Sequence, residues 1–110
     1  MVRIENNNIT ITRGDTLETQ VSISTSEGDE FIPSAGDVIR FALKGSYRED
    51  ELLITKRIPN DTLILRLEAE ETKRLIARPK PYVYDVQLTT PDGTVDTFIT
   101  GTLTVTEEVD

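Results

Sequence analysis

The 110-residue chain contains no cysteine, no histidine and no tryptophan. The absence of Cys excludes disulfides and thiolate chemistry, and without His the Ser-His and Cys-His pairs of nucleophilic catalysis are excluded too. Apolar residues make up 36% of the chain, and no apolar run is longer than three residues, which is too short to cross a bilayer. Residues 1–10 lack the apolar stretch of a secretory signal. We therefore expect a soluble protein of a reducing compartment.

Positive charge is also scarce. Lys and Arg number 12 against 20 Asp and Glu, which gives a formal net charge of −8. Such a field repels phosphate backbones and anionic lipid headgroups, so neither nucleic acid nor a membrane is an expected partner. Because charged residues reach 29% while apolar residues are few, the core is expected to be thin. The length suits one domain over residues 1–110.

The most regular pattern lies in residues 82–105. Every second residue is apolar from 82 to 88, and the period of two returns from 99 to 105, as in half-buried strands. Residues 91–94 read Pro-Asp-Gly-Thr, a turn in which Pro fixes φ and Gly accepts a positive φ. A β-hairpin is therefore predicted. Together with residues from other strands, its inward side chains predict a core of Tyr84, Val86, Leu88, Leu103, Phe41, Val21 and Leu65.

The rest of the chain adds further short strand patterns, for a total of seven to eight. These patterns lie at residues 2–5, 9–12, 17–25, 38–44, 52–58 and 62–67 and are separated by turn signals, as in a β-sandwich. Residues 68–77 differ, because good helix formers there carry acidic side chains first and basic ones later, which favours a short helix linking two strands. An all-β antiparallel sandwich with one short helix, spanning 68–75, is therefore predicted.

No residue pattern predicts catalysis or a cofactor. Two carboxylates facing each other could serve a glycosidase, but the acidic residues here fall in turns and on solvent faces. The acidic clusters at residues 27–30 and 49–51 do not have the spacing of a calcium loop, so no metal site is assigned. The tripeptide Arg13-Gly14-Asp15 also occurs in integrin ligands, although in this chain it equally satisfies a tight turn.

The order of these motifs resembles the small immunoglobulin-like domains of tailed bacteriophages and prophages, such as the N-terminal domain of baseplate upper proteins. The family opens with a strand and a Gly-Asp turn, like residues 13–16, followed by a Gly-Asp and an alternating strand ending in Lys, like residues 36–44. A short helical link comes next, like residues 70–75. The final strand pair is matched by Tyr82, Tyr84, Asp85, Val86, Gln87, Leu88, Asp92, Gly93, Thr97, Gly101 and Val105.

This resemblance implies an immunoglobulin-like sandwich without catalytic residues. It further implies a structural protein of the virion (baseplate, tail or neck) that is made in the bacterial cytoplasm and contacts other phage structural proteins, with homo-oligomers in the particle. We expect the partner contact on the outer face of the terminal hairpin, at Val83, Asp85, Gln87 and Phe98. The alternative is a carbohydrate-binding or cell-surface adhesion module, which an exposed aromatic cluster beside polar loops would favour.

Overall fold

A computed structural model describes residues 3–5, 7–23 and 30–108 of the chain. These residues form eight strands and one short helix, in agreement with the predicted all-β class. The elements are β1 (Arg3–Glu5), β2 (Asn8–Thr12), β3 (Leu17–Gln20), β4 (Val38–Lys44), β5 (Ile54–Ile58), β6 (Ile64–Leu67), α1 (Ala69–Lys73), β7 (Tyr82–Thr89) and β8 (Val95–Thr106).

Two sheets of unequal size make a sandwich-like fold. Six strands form the larger sheet in the order β1-β2-β8-β7-β4-β5, while β3 and β6 pair alone in the smaller one. The predicted hairpin is the β7–β8 pair at the centre of the larger sheet. Every pairing is antiparallel except that of β2 with β8, which is parallel. That single parallel pair departs from the purely antiparallel sandwich that was predicted.

The core lies between the two sheets and contains the residues that alternation predicted. All seven residues of the predicted core are buried. At its centre the rings of Phe41 and Tyr84 lie 5.3 Å apart in a tilted arrangement. The Tyr84 hydroxyl donates a hydrogen bond to the Asn7 carbonyl oxygen (2.6 Å), and burial raises the pKa of this hydroxyl, which keeps it a donor. Aromatic packing and a satisfied hydroxyl thus bring β4, β7 and the start of β2 together.

Helix α1 closes one end of the sandwich. The Glu71 carboxylate accepts the backbone N–H of Glu68 (2.9 Å), which satisfies a donor at the start of the helix, and it also accepts Lys56 Nζ of β5 (2.6 Å). Burial acts to raise the pKa of Glu71, but these hydrogen bonds and the charges of Lys56 and Arg74 outweigh burial, and the pKa is lowered. The helix is shorter than predicted because Arg74 already caps it.

The link from α1 into β7 has the hydrogen bonding of a tyrosine corner. The Tyr82 hydroxyl, at the start of β7, donates to the Ile76 carbonyl oxygen and accepts the Ile76 N–H, both at 2.9 Å. Arg78 lies over the Tyr82 ring at 3.9 Å and donates to the Gly45 carbonyl oxygen (2.6 Å). These contacts fix the segment between α1 and β7 against the start of β7 and the end of β4.

Some element boundaries differ from the prediction. Strand β5 begins at Ile54 rather than at residue 52, and Leu52 and Leu53 before it are partly exposed. The strand predicted over residues 17–25 ends at Gln20, although the Val21 N–H still donates to the Leu63 carbonyl oxygen (2.7 Å). The last two positions of that prediction, and residues 27–29 of one acidic cluster, lie outside the described residues.

Candidate functional site

The larger sheet has one face on the core, and no second layer formed by the described residues covers its other face. We define the outer face as the side chains of this sheet that point away from β3 and β6. Strand β4 contributes Arg40, Ala42 and Lys44, which lie opposite Gln87, Asp85 and Val83 of β7 in that order. Because directly opposite side chains in a sheet are close neighbours, these six form one continuous surface.

A depression of about 330 Å³ lies on this outer face. Its position is explained by Ala42, a small side chain that sits between two long ones on β4. The segment between β4 and β5 borders the depression with Tyr47, Asp50 and Leu52. Two of these border residues are apolar or aromatic and accessible, since Tyr47 is 71% exposed and Leu52 is 41% exposed. The site is therefore a shallow trough whose floor has both polar and apolar side chains and whose rim is partly apolar.

Positive charge on this face is left without ion pairs. Arg40 of β4 lies directly opposite Arg57 of β5, and like charges in that register repel each other. Within the described part of the chain, neither arginine forms an ion pair, and Lys44 does not either. Arg40, Lys44 and Arg57 thus form a strip of three cations in a protein that has 20 acidic side chains. Such a strip can receive a carboxylate from outside the fold.

Three of the four residues predicted to contact a partner lie together in this trough. Val83, Asp85 and Gln87 are half-buried and line the depression. The Gln87 side-chain amide donates to Asp85 Oδ2 at 3.3 Å, a long and therefore weak contact. The Asp85 carboxylate thus keeps most of its capacity to accept hydrogen bonds from another molecule.

The placement of Phe98 on the outer face was wrong. Val86 pairs with Ile99 while Gln87 pairs with Thr97, so Phe98 is the extra residue of a β-bulge in β8. The bulge reverses the alternation of β8, and the Phe98 ring packs against Phe31 at 5.5 Å on the core side. Period-two counting cannot detect an inserted residue, and for that reason the prediction failed at this position.

The alternation of residues 38–44 already indicated that β4 contributes to the outer face. Residues 38–44 alternate, which places Arg40, Ala42 and Lys44 together on one outward face. That pattern could have indicated a small residue between two cations. By contrast, nothing in the sequence indicates that Tyr47 and Leu52 border the same trough, because their loop position depends on the tertiary fold.

The half-buried turn at Arg13-Gly14-Asp15 has a structural role. Arg13 Nη1 pairs with Glu108 Oε1 at 2.6 Å, and Arg13 Nε donates to the Leu75 carbonyl oxygen at 2.9 Å. Gly14 has φ +89° and donates its N–H to Thr72 Oγ1 (3.2 Å). The tripeptide is therefore the predicted tight turn, and its arginine already holds the C-terminal end of β8 and the end of α1 in place.

The described residues contain no group of three or more His, Cys, Asp or Glu side chains placed to hold a metal ion. No helix in the described ranges has both the length and the apolar character that a membrane span requires. In comparisons with known proteins, no family model, no curated protein and no solved structure matches the chain.

Proposed function

We propose that this chain is a non-enzymatic structural module of a phage or prophage particle that acts through protein–protein contacts. The observation that carries the proposal is the outer face of the larger sheet, which no described strand or helix covers. This face combines half-buried Val83, Asp85 and Gln87 with an exposed Tyr47. Interface centres are enriched in tyrosine and arginine, and this trough has both. The resemblance to immunoglobulin-like phage domains supports the setting in a particle.

A rigid sandwich suits such a role. The tyrosine corner at Tyr82, the ion pair between Lys56 and Glu71 and the paired sheets hold the trough on strands rather than on mobile segments. A face that is held in one shape pays little conformational entropy when it binds, which favours specific assembly. The shallowness of the trough fits a protein surface better than it fits a reaction centre, because it encloses no water-free pocket.

The test is incorporation into particles. Particles induced from a strain that encodes the chain are banded on a density gradient, and the chain is quantified by mass spectrometry against an abundant cytosolic protein. We expect enrichment in the particle band at a fixed ratio to the major structural proteins. Absence from the band, or a ratio that follows the cytosolic protein, would contradict the proposal.

Two variants at different surfaces show which surface is used. Gln87→Lys changes the trough, whereas Asp61→Lys changes an exposed turn between β5 and β6. We expect Gln87→Lys to be lost from the particle band while Asp61→Lys is retained. Equal incorporation of both variants would show that the particle contact uses another face.

A carbohydrate-binding role is the second candidate, and one observation favours it. Tyr47 exposes its ring at the rim of a depression that also contains Asp85 and Gln87, and sugar sites combine an aromatic platform with such polar groups. This role predicts that oligosaccharides shift the backbone amide signals of β4 and β7 in an NMR titration and that Tyr47→Ala abolishes these shifts. A glycan panel that leaves those signals unmoved would remove this candidate.

A further inference from the structure

We infer that the trough on the outer face binds a second copy of this chain, with Asp85 of each copy seated over Ala42 of the other. The inference rests on the proposed function and deepens it, because it names the occupant of the outer face. The inference rests on the fact that both halves of a complementary contact lie on this one surface. They are a strip of cations on β4 and β5 that form no ion pair with any described residue, and a half-buried carboxylate on β7.

The strand register provides the symmetry. Ala42 lies directly opposite Asp85. Two positions away in one direction Arg40 lies opposite Gln87, and two positions away in the other direction Lys44 lies opposite Val83. A two-fold axis that runs between β4 and β7, parallel to the strands and in the plane of the contact, places β4 of one copy over β7 of the other. Each residue then faces its own cross-strand neighbour from the second copy, as a self-complementary interface requires.

In that arrangement Asp85 enters the depression above Ala42 of the second copy. The cations that flank Ala42 lie two residues away on either side, at about 7 Å along the strand, within reach of a carboxylate between them. The dimer therefore contains two such contacts between opposite charges, one for the Asp85 of each copy. The two Asp85 carboxylates approach to about one strand spacing, roughly 5 Å, and the four cations from Arg40 and Lys44 of both copies surround them.

Residues at the border of the trough extend the contact beyond the ion pairs. Tyr47 and Leu52 are exposed beside it, and Val83 lies half-buried within it. Burying these apolar groups adds the hydrophobic stabilisation that charge pairs alone lack. The overall charge of −8 on each copy opposes association at long range, so the measurement belongs at about 0.15 M salt, where the screening length is about 8 Å.

The experiment is sedimentation equilibrium of the purified chain over a concentration series that reaches the high micromolar range. We expect a monomer–dimer equilibrium for the natural sequence. Asp85→Lys, which places a third cation between Arg40 and Lys44, and the double variant Arg40→Asp with Lys44→Asp should each dimerise at least about tenfold more weakly.

Mixing the two variants gives the sharpest result. In the mixed pair, the new lysine at position 85 of one copy faces two aspartates, and the natural Asp85 of the other faces Arg40 and Lys44. Both contacts are then complementary, so a heterodimer should form at concentrations where each variant alone is still largely monomeric. A mixture that stays monomeric would overturn the inference, as would a natural chain that is monomeric throughout the series.

Two controls separate this contact from general effects of charge and from misfolding. Asp61→Lys makes the same charge change in the exposed turn and should leave the dimer unchanged, while Ala42→Phe fills the depression without changing charge and should abolish it. Circular dichroism establishes that each variant is folded. Association that survives Asp85→Lys and Ala42→Phe would place the contact elsewhere and overturn the inference.

The outcome is also distinct from that of the particle test. A chain that dimerises as described but is missing from purified particles contradicts the phage role and supports this contact. A chain that is present in particles but monomeric in solution, even at high concentration, contradicts this contact and leaves the phage role standing.

Discussion

The two faces of the larger sheet handle charge in opposite ways. On the core side, Lys56 pairs with Glu71 at 2.6 Å and the pKa of Glu71 is lowered, so the ion pair joins β5 to α1. On the outer side, Arg40 and Arg57 lie opposite each other, and neither has an ion pair among the described residues. The charged groups on the core side thus join two elements of the fold, whereas the two arginines on the outer side lie in a repulsive register.

Strand β4 gives the most severe test of this difference between the two faces, because its adjacent residues Phe41 and Arg40 point to opposite faces. Phe41 is fully buried, so Phe41→Ala should lower the free energy of unfolding by about 3–5 kcal/mol through lost transfer energy and a cavity. Arg40→Ala should change it by less than about 0.5 kcal/mol. Urea denaturation measures both. Similar losses for the two variants would mean that the outer face contributes to the fold after all.

A second test concerns the close approach at Gly101, on the core side of β8. A Cβ there would lie 2.1 Å from the Asn7 carbonyl oxygen and 2.8 Å from the Tyr84 hydroxyl. Gly101→Ala should therefore cost about 3 kcal/mol, since backbone and a packed ring must move. Gly93→Ala is the control: its φ is +89° but no atom is near, and about 1–2 kcal/mol of backbone strain is expected. Thermal unfolding should rank Gly101→Ala as the more damaging change.

The Lys56–Glu71 pair predicts a pH dependence. The pKa of Glu71 in the folded state is lowered below its ordinary value of 4.5. The ionised Glu71 therefore stabilises the fold at neutral pH, and this stabilisation is lost as the pH falls through the pKa of Glu71 in the folded state. Glu71→Gln should cost roughly 1.5 kcal/mol at neutral pH. The difference in the free energy of unfolding between Glu71→Gln and the natural protein should disappear as the pH is lowered. Glu70→Gln, an exposed neighbour, is the control and should show no such convergence.

The smallest expected effect has the opposite sign. Arg57→Glu replaces a repulsive cross-strand pair with an attractive one opposite Arg40, and it should stabilise the monomer by roughly 0.2–1 kcal/mol. The same change removes part of the cation strip, so self-association should weaken while stability rises. A loss of stability would show that the two arginines do not repel each other in this setting.

Much of the fold could be predicted from period-two patterns, because a half-buried strand must alternate. This logic placed Tyr84, Val86 and Phe41 in the core correctly, and helix propensity placed α1. The parallel pairing of β2 with β8 could not be predicted, since alternation is the same for parallel and antiparallel neighbours. Phe98 was misplaced because one inserted residue reverses the faces without any compositional trace.

The parts of the site that lie on strands could be predicted from alternation. Val83, Asp85 and Gln87 follow from the period of β7 and do line the trough. The depression itself depends on β4 lying between β7 and β5, and the order in which strands assemble is a tertiary property. The border residues Tyr47 and Leu52 lie between strands, where short-range patterns carry no positional information.

The parallel pairing of β2 with β8 has a mechanical consequence. Five register pairs, from Asn8 with Thr102 to Thr12 with Thr106, run in the same direction. Tension applied to the preceding chain at the start of β2 and to the following chain at the end of β8 therefore pulls the two strands past each other along their length. All the hydrogen bonds between them are strained together rather than opened one at a time, so this pair resists extension as a shear clamp.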